Sequence, residues 1–148
     1  MKKKQNKSIF YGRQYIDNKD IKSVNKILKS QFLTQGPCIE KFENDLKKKT
    51  SSKYAILANS ATSCLILACR ALGLKKNDLV WTSPNTFVST SNSALHCGAK
   101  VDLVDIDIET GNISVKSLKE KLIKAKKKNQ LPKLLIPVHF AGQPTEQK

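Results

Sequence analysis

Apolar residues recur at three- and four-residue spacing after Asp17, at Ile21, Val24, Ile27 and Leu28, which predicts an amphipathic helix running to about Ser30. Asp17 is suited to cap it, because its carboxylate can accept from the open amides of the first turn. Periodicity breaks over Phe32-Leu33-Thr34-Gln35-Gly36. Pro37 then fits the first turn of a second helix, in which Ile39, Phe42 and Leu46 share a face. Lys47 to Lys49 oppose the negative end of that helix's dipole and close it. Residues 1–50 therefore read as a helical segment.

From Lys53 the pattern changes. Tyr54-Ala55-Ile56-Leu57-Ala58 predicts a buried strand, and Asn59-Ser60-Ala61-Thr62-Ser63 turns into an apolar helix from Cys64 to Leu72, stopped by Gly73. Leu79-Val80-Trp81 is a second expected strand, followed by a turn at Ser83-Pro84-Asn85-Thr86 and a helix from about Phe87 to Cys97. Val101 to Val104 is a third. Ser114 caps a helix bearing Val115, Leu118, Leu122 and Ile123, and Leu134 to Val138 is a fourth strand. Short apolar strands separated by helices predict an α/β architecture with a mostly parallel sheet and flanking helices over residues 51–148. The fourth strand ends about ten residues before Lys148, too few for a return helix, so the expectation is an incomplete α/β domain.

Charge changes this picture little. Lys plus Arg number 27 against 12 Asp plus Glu, a formal charge of +15. Only Arg13 and Arg70 are arginine, the side chain whose planar fork suits phosphate and base recognition. The lysines fall at the N-terminus and in runs such as Lys126-Lys127-Lys128 without interleaved aromatics, the mark of solvated faces rather than of a nucleic-acid surface. No apolar stretch reaches membrane-span length, and no apolar region follows the basic start, so neither a membrane protein nor a secretory signal is expected. Cys38, Cys64, Cys69 and Cys97 fall in no metal-ligand spacing and read as reduced thiols of a cytoplasmic protein.

Candidate chemistry gathers at the expected carboxyl ends of the strands, where open α/β sheets bind ligands. Asn59 to Ser63 lead into a helix N-terminus with small hydroxyl side chains, a cradle for phosphate, although ordinary capping by Ser60 explains the same residues. Neither a Rossmann glycine fingerprint nor a P-loop is present. Phe87 could pack into the core or lie against a flat ligand. His139 follows the fourth strand at the same edge, His96 ends a helix, and Asp105 and Asp107 suit turn bonding as well as acid–base work.

Several of these motifs, in register, resemble one family. Phe32-Leu33-Thr34-Gln35-Gly36-Pro37 with Phe42-Glu43 is similar to the N-terminal signature of the pyridoxal-phosphate-dependent nucleotide-sugar aminotransferases of the DegT–StrS group. Asn59 to Ser63 match its phosphate loop, and Pro84-Asn85-Thr86-Phe87-Val88-Ser89-Thr90 its next loop. Gly98, Asp105-Ile106-Asp107, Gly111-Asn112-Ile113 and Pro137-Val138-His139-Phe140-Ala141-Gly142 follow in the same order, so that the likeness covers residues 9 to 144. Within the family, the Asn59–Ser63 loop and the His139–Pro144 ending look most like the branch serving pseudaminic acid precursors, which aminates C4 of a UDP-4-keto-6-deoxy-N-acetylhexosamine.

The resemblance implies an aspartate-aminotransferase-type fold, a homodimer when complete, pyridoxal 5'-phosphate as cofactor, and a nucleotide sugar and an amino-acid donor, by family habit glutamate, as partners. It places the cofactor phosphate on Ser60, Ala61 and Thr62, stacks Phe87 on the pyridine ring, and sets Tyr11, Gln31, Phe32, Leu33 and Thr34 near the sugar nucleotide. The family's pyridine-facing carboxylate and Schiff-base lysine match no position up to Lys148, so the chain is expected to be an N-terminal portion, inactive alone. A basic α/β binding module and a non-catalytic paralogue stand as alternatives.

Overall fold

The computed structural model describes residues 12–146, and the chain divides into two compact units at Ile56 and Leu57. In the first unit, α1 (Asn18–Leu28) and α2 (Pro37–Thr50) form where the periodicity places them. Asp17 caps α1 by accepting from the amides of Lys19 and Asp20, and Asp20 returns the bond to the Asp17 amide. Pro37 opens α2, and Ser51 ends it in the left-handed region at φ 55°. The stripe of α1 is half-exposed or more at Ile21, Val24 and Leu28.

The second unit holds α3 (Ala61–Ala71), β1 (Leu79–Thr82), α4 (Ser89–His96), β2 (Lys100–Leu103), α5 (Val115–Lys127) and β3 (Leu134–Ile136). The three strands make one parallel sheet in the order β2-β1-β3, with Val80 opposite both Val101 and Leu134. Alternation along the central strand assigns its two faces. Val80 packs with Cys69 of α3, Leu74, Ala94 of α4 and Ala99, while Trp81 packs with Val104, Ile113 and Ala125 of α5. Helices thus cover both faces, as successive crossovers between parallel strands require. Each of Val80, Trp81, Ala94 and Val104 is at most 1% exposed, so the core is centred on β1.

Trp81 carries a second layer of order. The Lys121 ammonium lies 4.9 Å from its ring centroid, pairs with Asp102 at 2.7 Å, and donates to the Leu103 carbonyl. The hydrogen bond from Lys121 to the Asp102 carboxylate is the main reason that carboxyl sits below its ordinary range. Asp78, at the amino end of β1, is likewise lowered, first by the Lys75 amide and then by Lys133 at 3.1 Å.

One expected strand is absent. Residues 54–58 form no ladder with β1, β2 or β3, and Tyr54 and Ile56 are 73% and 77% exposed. An apolar run becomes a strand only where a neighbouring backbone pairs with it, and none of the three strands pairs with residues 54–58. Smaller differences follow local chemistry. The helix expected from Cys64 starts at Ala61 because Ser60 caps it, β3 stops at Ile136 because Pro137 lacks an amide to continue the ladder, and α4 begins at Ser89 rather than Phe87.

Candidate functional site

The start of α3 is built from small side chains that bond locally. Ser60 Oγ accepts from the Ser63 amide at 3.2 Å, and Ser63 Oγ donates to Asn59 Oδ1 at 2.7 Å. The Ser60 carbonyl takes the Cys64 amide at 3.1 Å. A helix leaves its first amides without intrahelical acceptors, and the cap here occupies only that of Ser63. The amides of Ala61 and Thr62 therefore remain as outward donors at the positive end of the helix, with the half-buried Thr62 hydroxyl beside them. That arrangement fits the phosphate of a cofactor such as pyridoxal phosphate.

Phe87 lies just before α4 and is 75% exposed, which rules out the core placement that the sequence left open. Its carbonyl accepts from Thr90, whose hydroxyl also bonds that of Thr86 at 2.8 Å. Helices α3 and α4 pack on each other, with Cys69 Sγ 3.8 Å from Ser93 Oγ. Thus Ser60, Ala61 and Thr62 open one of two packed helices, while Phe87 precedes the other. Gln31, Phe32, Leu33 and Thr34 lie exposed between α1 and α2 in the other unit, and Tyr11 lies outside the described residues.

The loops after all three strands meet around two residues that the sequence did not single out as site residues. Asn112, 4% exposed, accepts from the Phe140 amide at 2.9 Å and donates to the carbonyls of Gln143 and Pro144 at 3.0 and 3.1 Å. Asn85, after β1, donates to the Gly111 carbonyl at 3.1 Å. Gly111 takes φ +69°, and a Cβ there would stand 3.1 Å from Phe140 Cδ1 and 3.3 Å from Asn85 Nδ2. His139 accepts the Thr145 amide on Nδ1 at 3.0 Å, which leaves the proton of the neutral ring on Nε2. Ser83, the first residue past β1, is buried, and its hydroxyl has no partner among the described residues. In the sequence Asn112 stood out only as part of the Gly111-Asn112-Ile113 motif, with no role attached to it.

Other readings find less. Asp107 accepts from Glu109, Thr110 and the Thr110 hydroxyl, which is turn bonding, and Asp105 accepts from the Ile106 amide. His96 sits in the last turn of α4, where its ring suits the helix dipole. Among the described residues no group of three acidic, histidine or cysteine side chains could hold a metal, and no helix is long and apolar enough to cross a membrane. All four cysteines are free.

Comparison with known proteins gives a consistent answer. The family model described as the DegT/DnrJ/EryC1/StrS aminotransferase family matches residues 14–148. A UDP-4-amino-4,6-dideoxy-N-acetyl-beta-L-altrosamine transaminase of Campylobacter jejuni is 45% identical over 116 residues, covering 78% of this chain and 30% of that protein. The structure of Helicobacter pylori PseC, an aminotransferase involved in the biosynthesis of pseudoaminic acid, superposes with TM-score 0.82 at 33% identity, over 93% of this chain and 36% of that one. A sugar aminotransferase from Streptococcus pneumoniae in its PLP form gives TM-score 0.77 at 27% identity, over 89% and 32%. The chain thus spans about a third of the length of the relatives it matches.

Proposed function

The chain belongs to the DegT/DnrJ/EryC1/StrS aminotransferase family, and on that premise we propose that it forms the front of the large domain of a pyridoxal-phosphate enzyme. The reaction is transfer of an amino group from an amino acid, glutamate in this reading, to the C4 keto group of a nucleotide-linked 4-keto-6-deoxy sugar. The likeness to the Campylobacter and Helicobacter proteins supports that substrate class. Residues 1–50 are then the helical approach to the domain and residues 51–148 its cofactor-binding part, in a cytoplasmic enzyme that is homodimeric when complete.

The observation that carries the cofactor reading is the open N-terminus of α3. Ala61 and Thr62 present amides and a hydroxyl to the phosphate, while Ser60 holds the turn that aims them. Phe87, exposed at the neighbouring helix, gives the pyridine ring a face to lie on. Bound there, pyridoxal phosphate supplies the electron sink for amino transfer, and the protein's part is orientation and charge. Gln31 to Thr34, with Tyr11, are assigned to the sugar nucleotide. No residue up to Lys148 is assigned as the carboxylate facing the pyridine nitrogen or as the lysine of the chemical step, so this chain by itself is inactive.

Two measurements test this. Thr62→Ala and Phe87→Ala should each weaken pyridoxal phosphate binding, and variants that hold it as tightly as the parent would overturn the site. Incubation with the cofactor, glutamate and a UDP-4-keto sugar should yield no amino sugar from this chain alone. Turnover with one specific lysine adduct would overturn the inactivity.

A further inference from the structure

The junction of loops at the carboxyl edge of the sheet deepens the reading above and rests on it. Asn112 makes three hydrogen bonds through its side chain: Oδ1 accepts one amide and Nδ2 donates to two carbonyls, all on the loop after β3 and 28 to 32 residues away in sequence. Its own backbone carbonyl accepts the Asp107 amide at 2.8 Å, which fixes the turn it stands on. Directly before it, Gly111 gives its carbonyl to Asn85, and the Phe140 ring closes over its α-carbon so tightly that a side chain has no room. Asn85 in turn lies two residues before Phe87.

We propose that Asn112 is the positioning residue of this edge: its carboxamide clamps the loop after β3 and, through Gly111, the Asn85 loop that carries Phe87, so that the three loops behave as one unit beside that ring. The physical ground is bonding between loops that are distant in sequence. Loops tied only by their own turns open independently, whereas a buried carboxamide bonded across loops makes opening one expose unsatisfied groups in the other. The Phe87 ring is 75% exposed, and its segment is tied to α4 through the Thr90 amide and to the junction through Asn85.

Amide hydrogen exchange on the protein tests the coupling. Asn112→Ala should accelerate exchange about tenfold or more at Phe140 and also at Thr86, Thr90 and Asn92, with Val80 and Trp81 still protected. Asn85→Ala should accelerate only the loop after β1. Acceleration confined to residues 139–145 in Asn112→Ala would overturn the proposal, and so would equal loss of protection at Val80 and Trp81, which would make Asn112 a general stability residue. Pyridoxal phosphate titration of the parent is read separately: a parent that does not bind it contradicts the cofactor reading, while the exchange data still decide the role of Asn112.

Discussion

The start of α3 and the Asn112 junction are made of the same materials, small hydroxyl and amide side chains in loops, and they end in opposite states. At the junction the Asn112 side chain makes three hydrogen bonds within the protein and the residue is buried. At α3 the cap occupies the Ser63 amide and leaves those of Ala61 and Thr62 facing outward. Polar groups bonded to one another hold loops together, whereas open amides at a helix start are available to an anion. On that contrast we propose the α3 end as the cofactor site and the junction as its support.

Substitutions can break that contrast, beginning with the largest effect. Gly111→Ala forces a Cβ into the left-handed region and against Phe140 and Asn85, and should cost about 2–3 kcal/mol in urea denaturation. Asn112→Ala should cost about 2 kcal/mol by the same measurement, because it strands the Phe140 amide at a partly buried position. Ser60→Ala removes a cap from an exposed helix end and should cost about 1 kcal/mol. Phe87→Ala should change stability by less than about 0.5 kcal/mol, since the ring contributes little burial, while weakening cofactor binding. A Phe87 variant as destabilised as Asn112→Ala would erase the distinction.

Two carboxylates, Asp78 before β1 and Asp102 on β2, supply a control with no expected part in binding. Asp78 and Asp102 are both held below the ordinary carboxylate value of 3.8, so their contribution to stability is present above that pH. It is lost as pH falls through their lowered values, because protonation then removes the bonds to the Lys75 amide, Lys133 and Lys121. Acid titration followed by Trp81 fluorescence should show Lys121→Met losing part of this low-pH dependence, with cofactor binding at neutral pH unchanged.

What could be read from sequence was local. The Asp17, Ser60 and Ser114 caps each depend on residues two or three positions away; those of Asp17 and Ser114 formed as expected, and Ser60 caps α3 as its alternative reading had it. The three-strand parallel sheet followed from apolar runs bracketed by helices. The strand expected over residues 54–58 failed because its existence depends on a neighbouring backbone, which no window of sequence contains. Phe87 could not be assigned between core and surface until its exposure was known. The role of Asn112 stayed hidden for the same reason as the strand: its partners Phe140, Gln143 and Pro144 lie far along the chain, and the Gly111-Asn112-Ile113 motif says nothing of them.

The central claim is that the open amides of α3 bind the phosphate of the cofactor, and comparing pyridoxal phosphate with pyridoxal isolates that group. Equilibrium titration of the protein should show tighter binding of the phosphorylated form, with the preference reduced in Thr62→Ala and kept in Phe87→Ala, where both ligands weaken together. Equal affinity for the two compounds in the parent, or a preference that Thr62→Ala leaves intact, would contradict it.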